Sequence, residues 1–111
     1  MIGEALPRRG EIWWVRVDKR RPALVVQTDK VREPSVRSFL VVPLTSRLHL
    51  EGLPGNVRLE RRETGLPKTS VANVYDVQKV LREDFLERLG ALSGATLSAV
   101  SNGLALVLDL S

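Results

Sequence analysis

The chain contains no cysteine and one histidine, His49. The first absence removes disulfides, thiolate nucleophiles and zinc ribbons together, and the second leaves nothing from which to build a multi-histidine metal centre. No metal or other cofactor is expected. No apolar run is long enough to span a bilayer, and the opening M-I-G-E-A-L-P-R-R lacks the apolar core of a signal peptide. The expectation is a cytoplasmic protein with no membrane partner. Basic residues stop at Arg88, after which Asp109 is the only charged side chain, and no aromatic follows Phe85. The last stretch of chain must therefore find apolar company.

What is present fits one modest core: 111 residues with 43% hydrophobic content leave no room for a second domain, so residues 1–111 are read as one. The net charge of +4 is unevenly spread. Between Arg16 and Arg47 lie Lys19, Arg20, Arg21, Lys30, Arg32 and Arg37, opposed only by Asp18, Asp29 and Glu33. A patch of this kind attracts polyanions and speeds encounter with them, which favours nucleic acid as a partner.

Residues 11–17, E-I-W-W-V-R-V, read as a strand because Trp, Ile and Val suit a pleated, half-buried surface. Trp13 and Trp14 are assigned to core and interface packing, and an exposed indole would also stack on a base. Residues 56–60 alternate apolar and polar around Val57 and Leu59, as a half-exposed strand does. Residues 69–80, with valine at 71, 74, 77 and 80, are read as two short strands bending near Tyr75. Helical spacing is found only later. Residues 81–89 place Leu81, Phe85, Leu86 and Leu89 on one side, predicting a short helix that Gly90 ends. Ser93 then caps a terminal helix reaching about Leu108. About five short strands followed by helices predict a mainly β fold, a small SH3-like half-open barrel closed by the terminal helix.

The most telling stretch is a hairpin. Residues 21–29 read R-P-A-L-V-V-Q-T-D, residues 36–46 read V-R-S-F-L-V-V-P-L-T-S, and the charged linker between them carries Pro34. With the turn centred near Glu33, Leu24 falls opposite Val42 and Arg21 opposite Thr45. A guanidinium beside a hydroxyl makes a phosphate site.

R-G-E-I-W-W-V at residues 9–15, R-P-A-L-V-V-Q-T-D at 21–29, V-V-P-L-T-S at 41–46 and T-G-L-P-K-T-S-V-A-N-V at 64–74 together resemble the MazF/PemK/Kid toxins of type II toxin–antitoxin systems. The resemblance covers nearly the whole chain. It implies a homodimeric, metal-independent endoribonuclease of the CcdB/PemK-type fold that cuts single-stranded RNA such as mRNA at short sequences. It also implies a cognate antitoxin, and the basic surface suggests that this partner carries an acidic segment.

Carried over by position, the resemblance assigns catalysis to Arg21 and Thr45. Cleavage without metal needs a proton removed from the ribose 2′-hydroxyl, a proton supplied to the leaving 5′-oxygen, and stabilisation of the phosphorane. Arginine suits the last role and is a poor base near neutral pH. Supporting or RNA-binding roles fall to Lys19, Arg20, Ser46, Arg47, Asp76 and Gln78, with Asp18 and Tyr75 as further candidate helpers. Many relatives read D-Q-x-R where this chain has Tyr75, Asp76, Val77 and Gln78. Along a strand that one-residue shift turns the acid to the other face, so Asp76 is not expected to serve as base unless a bulge restores it. His49 reads as a loop residue. Two other readings remain: a CcdB-like topoisomerase poison, which the aromatic-free ending L-V-L-D-L-S disfavours, and a non-catalytic small-barrel module binding RNA or peptide.

Overall fold

The computed structural model describes residues 6–31 and 33–110. Arg32, counted above in the basic run, lies outside the described residues, as do the ends of the chain. The strands are β1 (Glu11–Arg16), β2 (Arg20–Val25), β3 (Ser38–Thr45), β4 (Val57–Leu59), β5 (Ser70–Ala72), β6 (Gln78–Leu81) and β7 (Phe85–Ala91). One turn of helix, α1 (Arg61–Thr64), and the terminal helix α2 (Gly94–Val107) complete the fold, with 3-10 turns at Leu48–Gly52 and Arg82–Asp84. The sheet runs β4-β5-β3-β2-β1-β7, with β6 also on β3, and all its pairings are antiparallel. The expected mainly β architecture, a half-barrel closed by a terminal helix, is the one observed. No helix of the described residues is long and apolar enough to cross a membrane.

The hairpin register holds: Leu24 faces Val42, flanked by Ala23 with Pro43 and Val25 with Val41. The ladder then stops, so Arg21 and Thr45 are not themselves a paired rung. Beyond this point each strand keeps only its outer neighbour: Arg21 pairs with Val15 of β1, and Thr45 with Val71 of β5. Pro22 explains the stop, because at the next rung toward β3 it has no N–H to offer the Leu44 carbonyl. Pro43 acts likewise on the far edge of β3. Its carbonyl accepts the Asn73 N–H at 3.1 Å, but it returns no donor, and there the partner changes from β6 to β5.

Two apolar clusters cover the two faces. The larger gathers Ile12, Leu24, Val42, Leu59, Val74 and Val100 beneath α2, with Leu97, Leu104 and Val107 packed against it. The smaller holds Val15, Ala23, Val25, Val41 and Val80, with Trp13 and Phe85 at its edge. Helix α2 approaches the loop before β4 so closely that a Cβ on Gly103 would sit 2.0 Å from the Gly55 carbonyl oxygen, and Gly55 adopts φ +97°. Arg9 ties the same helix to the sheet, donating to the Val26 carbonyl and the Ser101 hydroxyl.

Two expectations need correction. The predicted helix over residues 81–89 is a 3-10 turn followed by β7, the seventh strand where about five were expected. Its helical spacing arises from two register shifts against β1. Val15 pairs with Phe85, Trp14 with Glu87, Trp13 with Arg88 and Ile12 with Gly90, so Leu86 and Leu89 are skipped. Bulges break the two-residue period that identifies a strand. Phe85 consequently packs edge-on against Trp13 and Phe39 at 5.6 and 5.7 Å, while Leu89 joins the opposite cluster. The terminal helix begins after Ser93 as expected, yet no side-chain cap bond forms, and Leu108 is exposed.

Candidate active site

Where β2 and β3 part, a cleft of about 460 Å³ opens. Arg21, Thr45, Ser46, Arg47 and Asp76 all line it, together with Asn73 and Leu50. Five residues proposed from sequence are thus brought together by three separate segments. The Thr45 hydroxyl oxygen accepts the Arg47 N–H at 3.1 Å, which folds the chain back at the end of β3. Arg21 donates through Nε and Nη2 to the two carboxylate oxygens of Asp18, at 3.0 and 3.2 Å. These bonds hold the Asp18 carboxyl down to about 2 and raise the Arg21 guanidinium above its ordinary value. Asp76 contributes to the second shift as a nearby negative charge.

The placement of Asp76 departs from the strand argument. It stands in the bend between β5 and β6, where no two-residue alternation applies, and it lines the cleft beside Arg21. Gln78, the first residue of β6, donates to its Oδ2 at 2.9 Å. Gln78 itself lies outside the cleft, in a smaller recess that also contacts Arg21. Lys19 sits exposed in the turn joining β1 and β2. Arg20 lies across the Trp14 ring, 4.6 Å from its centre, and pairs with Glu87 at 3.2 Å. Tyr75 points elsewhere, its hydroxyl donating to the Pro54 carbonyl at 2.6 Å, and His49 is an exposed residue of a 3-10 turn.

Sequence reasoning missed two asparagines. Asn56 Oδ1 accepts the Val74 N–H at 2.9 Å, and its Nδ2 donates to the Leu50 carbonyl at 3.0 Å and to Asn73 Oδ1 at 3.3 Å. Asn73 Oδ1 also accepts the Tyr75 N–H at 3.3 Å. Together they lock the bend carrying Asp76 to the turn carrying Leu50. The available signal was an asparagine next to each loop, a residue type that bonds nearby backbone. No cluster of three or more metal-ligating side chains occurs among the described residues. A cleft with arginines, hydroxyls and one carboxylate suits a phosphodiester.

Residues 8–108 match the model of the PemK-like, MazF-like toxins of type II toxin–antitoxin systems. The chain belongs to this family. Endoribonuclease MazF6 of Mycobacterium tuberculosis is 34% identical to the toxin over 110 residues, spanning 92% of this chain and 96% of that protein. Endoribonuclease MazF9 of the same organism is 33% identical over 115 residues, spanning 93% and 97%. Among solved structures, the Mycobacterium tuberculosis toxin MazF-mt6 superposes with a TM-score of 0.80 at 26% identity, covering 91% of the toxin chain and 98% of its own. An endoribonuclease in complex with its cognate antitoxin, from a mycobacterial species, shares the fold at a TM-score of 0.79 and 21% identity, covering 97% and 98%.

Proposed function

We propose that this toxin is a sequence-specific, metal-independent endoribonuclease that cuts single-stranded RNA by attack of the neighbouring 2′-hydroxyl. Its family membership and the endoribonuclease relatives support RNA cleavage. The observation that carries the chemistry is the convergence of Arg21, Thr45 and Asp76 on one cleft. In this reading Arg21 leaves Asp18 and turns its donors to the phosphorane oxygens, where charge grows as the bond forms. Thr45 positions the scissile phosphate. Asp76 is the one carboxylate lining the cleft among the described residues. It therefore accepts the 2′-hydroxyl proton, with Gln78 fixing its orientation, and as the P–O5′ bond breaks the departing 5′-oxygen takes a proton from solvent. Ser46 and Arg47 hold flanking phosphates, and Lys19 and Arg20 add to the basic approach.

The toxin is further proposed to act as a homodimer, because Leu106, Leu108 and Leu110 at the end of α2 are 60%, 53% and 63% exposed. An acidic, flexible antitoxin segment would neutralise it by covering the basic cleft. Light scattering should give twice the chain mass. An antitoxin that binds tightly yet leaves cleavage intact would contradict the second point.

The decisive experiment incubates the protein with long RNA in EDTA. Fragments ending in 2′,3′-cyclic phosphate are expected, and none should arise when the nucleotide 5′ to the cut is 2′-deoxy. Cleavage of the deoxy substrate would overturn the mechanism. Intact RNA in EDTA would return the choice to a topoisomerase poison or a silent binding module.

A further inference from the structure

Behind the cleft, on the opposite face of the sheet, lies a second hollow of about 200 Å³. Its apolar wall is Trp14, Leu66 and Pro67, and its polar side is Lys68, Thr69 and Ser70. Three residues belong to both recesses: Pro22, Leu44 and Ser46 line the cleft on one side and the hollow on the other. Pro22 and Leu44 stand where the β2–β3 ladder has ended, and Ser46 follows directly on β3.

We propose that this hollow is a nucleobase subsite, receiving the unstacked base of a nucleotide next to the cut. The inference rests on the ribonuclease reading of the cleft. A base needs a flat apolar surface and a small number of polar groups at its edge, and single-stranded RNA is read by bases splayed into such sites. Trp14 supplies the surface. The Arg20 guanidinium already lies over its ring at 4.6 Å, which shows that a planar group fits against this indole. Ser70 supplies an unspent polar group. It is 3% exposed and its hydroxyl has no hydrogen-bond partner among the described residues, an arrangement that costs stability until something completes it. Lys68, exposed at the rim, meets the adjoining phosphate. None of these residues takes part in the chemistry assigned to Arg21, Thr45 and Asp76.

The probe is a pool of single-stranded RNA carrying 5-iodouridine and 2′-fluoro sugars, which binds without being cut. It is irradiated with the full chain, and the crosslinked residues are mapped by mass spectrometry. Crosslinks at Trp14 or within residues 66–70 are expected. Crosslinks confined to other surfaces overturn the subsite and leave the ribonuclease reading standing. A chain that neither crosslinks this pool nor cuts natural RNA overturns both. Because Trp14 also packs on the core, the exposed Lys68 gives an independent variant. Lys68→Ala should lower kcat/KM about tenfold for all sequences alike, and Ser70→Ala should relax base preference at one position flanking the cut. An unchanged rate and an unchanged preference would overturn the subsite.

Discussion

The two halves of the β2–β3 pair behave as different materials. From Ala23 to Val25, opposite Val41 to Pro43, the strands are zipped and buried. From Arg20 to Pro22, opposite Leu44 and Thr45, they diverge and turn polar, each held only by its outer neighbour. The same two strands therefore serve stability at one end and chemistry at the other, and the boundary falls at Pro22. If that division is real, substitutions a few residues apart should affect different measurements.

The largest effect is expected in the zipped half. Leu24→Ala removes a fully buried side chain and should cost about 2–5 kcal/mol, read as a lower urea midpoint. In the open half, Arg21→Ala should lower the single-turnover cleavage rate about a hundredfold to a thousandfold, with little change in the denaturation midpoint and a smaller change in RNA affinity. Comparable loss of stability in that variant would break the division. Asp76→Asn should reduce the rate about a hundredfold if its carboxylate takes the proton. Wild-type turnover in that variant would assign the base elsewhere. Arg20→Ala, with its side chain on the opposite face, should weaken binding a few-fold and flatten its salt dependence without touching the chemical step.

Asp18→Asn should have the smallest effect and the opposite sign. It frees Arg21 from a competing carboxylate, so RNA affinity should rise slightly. The Asp18 carboxyl is depressed to about 2, so its pairing with Arg21 is fully present above its ordinary value of 3.8 and is lost only as the pH falls through about 2. The pH–rate profile between about pH 4 and pH 8 should therefore keep its shape in Asp18→Asn.

The division also explains what the sequence made legible. Leu24 and Val42 could be aligned because apolar strands with a defined turn leave one sensible register, and the same count brought Arg21 toward Thr45. The first strand, the β5–β6 bend and the terminal helix followed from equally plain periodicities. β7 was hidden because its two bulges reproduce helical spacing at Leu81, Phe85 and Leu89, and only pairing with a distant strand reveals them. The placement of Asp76 was hidden for a related reason: strand alternation was applied to a residue that lies in a bend. The Asn56–Asn73 link joins segments far apart in sequence, which no local pattern encodes.

Pro22 has a final consequence for the resting shape of the molecule. Two neighbouring strands ordinarily close any gap between them as soon as donors and acceptors come into reach. Here the amide missing at Pro22 lies on the seam, so no fluctuation of the backbone can complete that rung and seal it. An open cleft is then the native arrangement rather than an excited one, and a ligand meets a space that need not be prised open. Pro22→Val restores an amide at the seam and supplies the donor that the Leu44 carbonyl lacks. Such a chain would be more tightly knit and, for the same reason, slower to admit RNA.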